Sequence, residues 1–243
     1  HLSKIREVME SCDLRQMATT VYFDMYNDMK WYLRRGGDNR ETVLAALRIW
    51  IQCMMPITPH TAEELWECAG FEGLVSATEL PEVDAEGVSP VAEYGEELLR
   101  NVMSDITEIR KIAGIEPSRL ILYTTSAWKR EVMSFALEMM AEGKLTVPDL
   151  TKRCMSQDHI KKNGKAASEL AKKVAVEFGR STIEAKSVIV DLDENAMFSA
   201  AAAFLTEETG IPVEVYSADT EGLYDPQNKA RQAAPGRPAI YLE

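Results

Sequence analysis

Residues 56–73, PITPHTAEELWECAGFEG, leave the backbone little choice. Pro56 and Pro59 each fix φ and remove an amide donor, so the apolar run Val43, Leu44, Leu47, Trp50, Ile51 and Met54 must end as a helix just before Pro56. Thr58 suits an N-cap, and Pro59 suits the first helical position, where its missing N–H would have had no intrahelical partner. Ala62, Leu65, Trp66 and Ala69 then recur at helical spacing as one apolar stripe, and Glu63 and Glu64 fall early enough to favour the helix dipole. Gly70 supplies the stop. A tight corner of this kind joins two helices packed on each other, the unit of a helical bundle.

The same signals run along the rest of the chain. Residues 3–34 read as helical, with Ile5, Val8, Met9 and Cys12 on one stripe and a bend near Cys12 and Asp13. After the Gly36-Gly37 turn, Asp38 or Asn39 caps a helix running to Met55. Gly73, Pro81, Gly87 and Pro90 mark 73–90 as a loop, and 93–112 returns to helix with Leu98, Leu99, Val102, Ile106 and Ile109 inward. Beyond Gly114 and Pro117 the pattern changes. Residues 119–125 read as a buried strand, Ser126 caps a helix carrying Trp128, Val132, Phe135 and Met139, and a short helix opens at Pro148. A longer helix covers 158–178, weakened at Asn163-Gly164. A short strand is predicted at 188–190, a helix over 193–209 closed by Gly210, and strands at 213–216 and 239–242. The expected architecture is multidomain: an all-α helical bundle over 1–116, then a small α/β domain over 117–243.

A net charge of −12 over 243 residues opposes nucleic-acid binding only as a sum, because phosphate contacts depend on where Lys and Arg cluster. Between 63 and 108 there are 13 acidic residues against one basic, Arg100, whereas 144–173 holds 8 basic against 3 acidic. At 100° per residue, Lys161, Lys165 and Lys172 share a stripe, Lys162 and Lys173 adjoin it, and both oppose the apolar face. With Lys152 and Arg153 they form a candidate phosphate-contacting surface. Arg34, Arg35 and Arg40 surround the Gly36-Gly37 turn, where a backbone can approach a ligand closely.

Cys12, Cys53, Cys68 and Cys154 lie in no C-x-x-C pair and His1, His60 and His159 are the only imidazoles, so neither a zinc site nor a disulfide framework is expected. Each cysteine reads as a small buried hydrophobe in a reducing compartment. No apolar run approaches the ~20 residues of a membrane span, and residues 1–12 lack the apolar middle of a signal peptide, which points to the cytoplasm and away from membranes. His60 has no Ser, Cys or carboxylate placed to form a triad with it, and the four tryptophans fall in helical phase with other apolar groups, as core residues do.

Pro56, Pro59, His60, Ala62, Glu63, Glu64, Leu65 and Trp66 together resemble the signature of the anticodon-binding-type bundle of class I aminoacyl-tRNA synthetases, most closely the leucyl-tRNA synthetases. Lys30 to Gly37 (KWYLRRGG) is similar to that family's helix end, and Gly236 to Glu243 (GRPAIYLE) resembles the C-terminus of its archaeal type. The resemblance implies that the bundle packs along tRNA without reading the anticodon bases. It further implies that the α/β domain docks on the long variable arm of leucine tRNA, with Tyr241, Leu242 and Glu243 at its tip, and that the whole enzyme leucylates that tRNA with ATP and magnesium. The His-Ile-Gly-His and Lys-Met-Ser-Lys-Ser signatures of the family's ATP site do not occur here, nor does a P-loop or an editing domain, so this stretch is expected to position RNA, as a monomer joined to the rest of the synthetase, and to be inactive alone. A rival reading is an interaction module whose acidic 63–108 surface binds a basic partner. A small-molecule α/β enzyme is disfavoured by the lack of a glycine-rich phosphate loop or nucleophile elbow.

Overall fold

A computed structural model of the chain describes residues 1–84, 87–114 and 116–243. Its contacts divide the chain into two compact units, His1–Val88 and Ser89–Glu243. The predominantly helical first part and the small sheet near the end agree with the expected fold class.

In the first unit, α1 (Leu2–Glu10) stops where Cys12 takes φ 57, and Asp13 restarts the chain by accepting from the Gln16 N–H at 3.0 Å. Helix α2 (Leu14–Thr19) runs through a π-helical stretch, Thr20–Asp24, into α3 (Met25–Arg34). Asn39, one of the two expected caps, accepts from the Thr42 N–H at 3.1 Å and opens α4 (Arg40–Met54). The corner then forms as expected, with Pro59 in the first turn of α5 (Pro59–Cys68). Thr58 sits at the N-cap position, but its hydroxyl pairs with the Tyr22 hydroxyl and caps no helix N–H. Trp66 is 2 % exposed in a core that includes Ile5, Met17, Val21, Ile51 and Ala62. Leu65, expected on the same stripe, is 40 % exposed: α5 packs on α4 and on the turn at Val75–Ala77, and buries only the narrower Ala62–Trp66 face. Cys12 and Cys68 are exposed, contrary to the expectation of burial. Cys12 stands at the interhelical break, and Cys68 ends α5. Cys53 and Cys154 are buried, and desolvation pushes each thiol up to about 11.

The second unit begins with α6 (Pro90–Ala113), capped by Ser89 and closed by Gly114 at φ 62. The sequence places this helix in the bundle, but its contacts within the unit are with α11 (Ile183–Asp191) and α12 (Glu194–Thr209). It buries Leu98, Leu99, Val102 and Ile106, while Ile109, one turn nearer its end, is 37 % exposed. Strand β1 (Leu120–Thr124) is buried throughout. It pairs in parallel with β2 (Val213–Ser217) and antiparallel with β3 (Ala239–Leu242), giving the order β2-β1-β3. Between β1 and β2 run α7 (Ala127–Ala141), α8 (Val147–Met155), α9 (Asp158–Lys161), α10 (Gly164–Phe178), α11 and α12. The predicted strand at 188–190 is instead part of α11. Thr182 caps that helix, accepting from the Ala185 N–H at 3.2 Å, and the β-branched residues are half-buried facing other helices, so packing overrides their local preference.

Glu194, on the first turn of α12, is 2 % exposed; its Oε1 accepts from the Gly236 N–H and its Oε2 has no hydrogen-bond partner among the described residues. Burial raises its pKa above the usual carboxylate value of 4.5, so the folded state holds this proton more tightly than the unfolded chain. A raised carboxyl gains stability as pH falls through its folded value. Urea denaturation from pH 7 towards 4.5 should therefore show the parent gaining stability relative to Glu194→Gln. A constant difference between the two would show that Glu194 does not titrate in the fold.

Candidate nucleic-acid interface

The expected lysine helix folds as two pieces. At Asn163-Gly164, Gly164 takes φ 41 and separates α9 from α10, so the stripe does not continue at one phase from Lys161 to Lys165. Helix α10 turns Ala167, Ala171, Val174 and Phe178 inward, leaving Lys165, Lys172 and Lys173 exposed. Lys161 and Lys162, at the end of α9, are exposed as well. Lys165 lies 3.7 Å from Glu169 in a solvated pair, the kind that contributes only a few tenths of a kcal/mol. Among the described residues Lys161, Lys162, Lys172 and Lys173 make no ion pair. Lys152 is exposed on α8, but Arg153 is engaged: it pairs with the Glu138 carboxylate and its guanidinium lies 4.3 Å from the Phe135 ring centroid.

The arginine trio belongs to the first unit. Arg34 and Arg35 end α3, with the Arg34 guanidinium 6.0 Å from the Trp31 ring, and Arg40 opens α4. Gly36 takes φ 84, and a Cβ on Gly37 would collide with the Tyr32 ring, so the turn requires both glycines. Trp31, Trp50 and Trp128 are half-buried and Trp66 is core. His60 stands exposed on the first turn of α5. Of the acidic residues of 63–108, Glu63, Glu64 and Glu67 lie on α5 in one unit and Glu93, Glu96, Glu97, Asp105 and Glu108 on α6 in the other, Glu72, Glu79, Glu82 and Asp84 lie on the stretch between these helices, and Glu86 lies outside the described residues.

The third group is at the sheet edge. Tyr241 is 8 % exposed and its ring packs against Tyr224, whereas Glu243 is exposed. The Glu243 N–H donates to the Arg119 carbonyl at 3.0 Å, and its backbone oxygen accepts from the Ser118 N–H at 2.6 Å. Its side chain accepts from the Tyr224 hydroxyl at 2.9 Å, and Arg119, held bidentate by Glu214 at 2.7 and 2.6 Å, reaches it at 3.8 Å. Deleting Leu242 and Glu243 should accordingly lower stability by about 1–3 kcal/mol, the net worth of a few edge hydrogen bonds, read as a fall in the urea midpoint; an unchanged midpoint would show that these bonds are not made in solution.

One feature gave no signal in the sequence. Lys162 opens onto a cleft whose other walls come from 126–128 and from the segment after β2, including Asp219 and Arg231. Nothing in a local pattern brings those stretches together.

A predominantly helical first part carrying the proline corner, followed by a small α/β layer, is the arrangement to which the family comparison points. The family described as "Anticodon-binding domain of tRNA ligase" matches residues 1–123, and the chain belongs to it. Along its whole length the chain also resembles the C-terminal regions of archaeal leucyl-tRNA synthetases. Leucine–tRNA ligase of Methanosarcina acetivorans is 37 % identical over 237 residues, covering 97 % of this chain and 24 % of that protein. The ligase of Methanocaldococcus jannaschii is 37 % identical over 237 residues, covering 98 % of this chain and 23 % of its own length. The chain thus spans about a quarter of the curated relatives it matches. Among the described residues no helix is long and apolar enough to cross a membrane, and no three His, Cys, Asp or Glu side chains group to hold a metal ion.

Proposed function

We propose that this chain is the tRNA-binding part of a leucine–tRNA ligase and positions leucine tRNA by its long variable arm for leucylation carried out elsewhere in the ligase. The similarity to leucine–tRNA ligases over 97 % of the chain carries this reading, and the exposed lysines of α9 and α10 supply the charge that phosphates require. ATP and magnesium belong to the parts of the ligase outside this chain. The partners are leucine tRNA and the rest of the ligase, in a monomer working in the cytoplasm.

The direct test is binding of a leucine tRNA transcript by this chain, compared with the same transcript whose variable arm is shortened. Affinity is expected to fall about tenfold or more with the short arm, equivalent to about 1.4 kcal/mol. Equal affinities would remove the variable arm from the interface.

A further inference from the structure

The cleft lies outside the carboxyl ends of β1 and β2, the place where parallel strands of α/β sheets leave room for a ligand. Its volume is about 720 Å³, within the range of small-molecule sites. Ser126, on the turn from β1 into α7, lines it; this residue is 4 % exposed and its hydroxyl has no hydrogen-bond partner among the described residues, a state that buried polar groups rarely keep unless something else satisfies them.

Several polar groups at the cleft are already committed. Asp219 accepts from the Ala127 N–H at 2.6 Å through Oδ2, so the start of α7 is answered by a carboxylate and does not itself call for an anion. Lys129 donates to the Arg231 and Ala233 carbonyls at 2.8 and 2.5 Å, and His159 pairs with Glu131. Lys162 and Arg231 remain as exposed cations from different walls, together with the half-buried indole of Trp128 and Oδ1 of Asp219. A bare phosphate would use the cations but be repelled by Asp219. An apolar ligand would use neither. A ligand combining an anion, a flat ring and a hydroxyl or amine donor uses all of them.

We infer that this cleft holds one unstacked ribonucleotide of a single-stranded RNA segment, with its phosphate at Lys162 and Arg231, its base on the Trp128 ring, and a ribose hydroxyl or base amine donating to Asp219. The inference rests on the RNA-binding reading above and adds a defined pocket to it. Unpaired bases offer the faces and edges that such a pocket needs, and the 2′-hydroxyl offers the donor.

The test follows the indole N–H signal of Trp128, assigned by its loss in Trp128→Phe, in nitrogen-15 spectra of the whole chain. The titrants are leucine tRNA transcript, a short unstructured oligoribonucleotide, and adenosine or uridine 5′-monophosphate. The oligoribonucleotide and the tRNA should move the signal. Trp128→Leu should weaken oligoribonucleotide binding about tenfold, as loss of one stacking surface does. Arg231→Glu, a change at an exposed position that leaves the core untouched, should weaken it and flatten its salt slope by about one unit or more. Mononucleotides binding as tightly as the oligomer would overturn RNA as the source, in favour of a free nucleotide. A silent Trp128 signal, with tRNA affinity unchanged in Arg231→Glu, would overturn the pocket while leaving the RNA-binding reading standing. Failure of the parent chain to bind any tRNA would end that reading and this inference with it.

Discussion

Replacing Trp66 with alanine is expected to destabilise the first unit by about 3–5 kcal/mol, the range for removing a large buried aromatic. The indole is 2 % exposed, donates to the Glu72 carbonyl at 3.2 Å and packs on Phe71 with ring centroids 4.6 Å apart. The Arg48 guanidinium lies 5.5 Å from the same ring. Truncation therefore opens a cavity and frees the Glu72 carbonyl, and α5 has no other large side chain with which to close the gap, because Leu65 points away from the core. Chemical denaturation followed by circular dichroism measures the loss. A midpoint close to the parent's would mean that the indole is not in the core, and its place as an RNA-stacking surface would reopen.

Reversing Lys161, Lys165 and Lys172 to Glu is expected to flatten the dependence of log affinity for leucine tRNA on log salt by roughly 2 to 3 units, at about 0.7–0.9 per phosphate contact. All three side chains are exposed, and only Lys165 has a described ion-pair partner, Glu169. The change Lys165→Glu sets a second carboxylate one helical turn ahead of Glu169, a like-charge pair that costs a few tenths of a kcal/mol, so the fold should survive and circular dichroism can verify it. Filter binding across a salt series reads the slope. An unchanged slope would take Lys161, Lys165 and Lys172 out of the interface and leave Lys152, the cleft at Lys162 and Arg231, and the group Arg34, Arg35 and Arg40 as the cationic candidates.

What could be read beforehand was whatever local chemistry decides. Asn39 and Asp193 each accept from an N–H three residues on, and Gly210 ends its helix in the left-handed region, whereas Ser89 opens α6 at Pro90, ahead of the expected start at 93, and Gly114, expected in a linker, closes it. All of these leave marks within one turn. The strands around 120, 213 and 239 announced themselves by apolar β-branched and aromatic runs. The run at 188–190 carried the same mark and folded as helix, because the neighbours that decided it, α6 and α7, lie far away in sequence. The same blindness applies to the site. A lysine-rich helix is visible in the letters, but the engagement of Arg153 by Glu138 and Phe135 is not, nor is the meeting of Lys162 with Asp219 and Arg231. Partners separated by whole elements leave no periodicity to detect.

The position of β1 at the centre of its sheet sets an order of events for folding. Arg119 joins Glu214, 95 positions on, and Ser118 joins Glu243, 125 positions on. The helices of the first unit instead close mostly over short separations, each on the next. Contacts of such long range form slowly, because the intervening chain must be brought round before any bond rewards the closure. The first unit should therefore reach its native state while LILYT, five buried residues with no charge among them, still lacks both neighbours. During that interval the strand exposes two open edges to other chains. Refolding yield should fall with protein concentration for Ser89–Glu243 far more steeply than for the helices ahead of it, making this strand the point at which synthesis of the chain depends most on prompt completion.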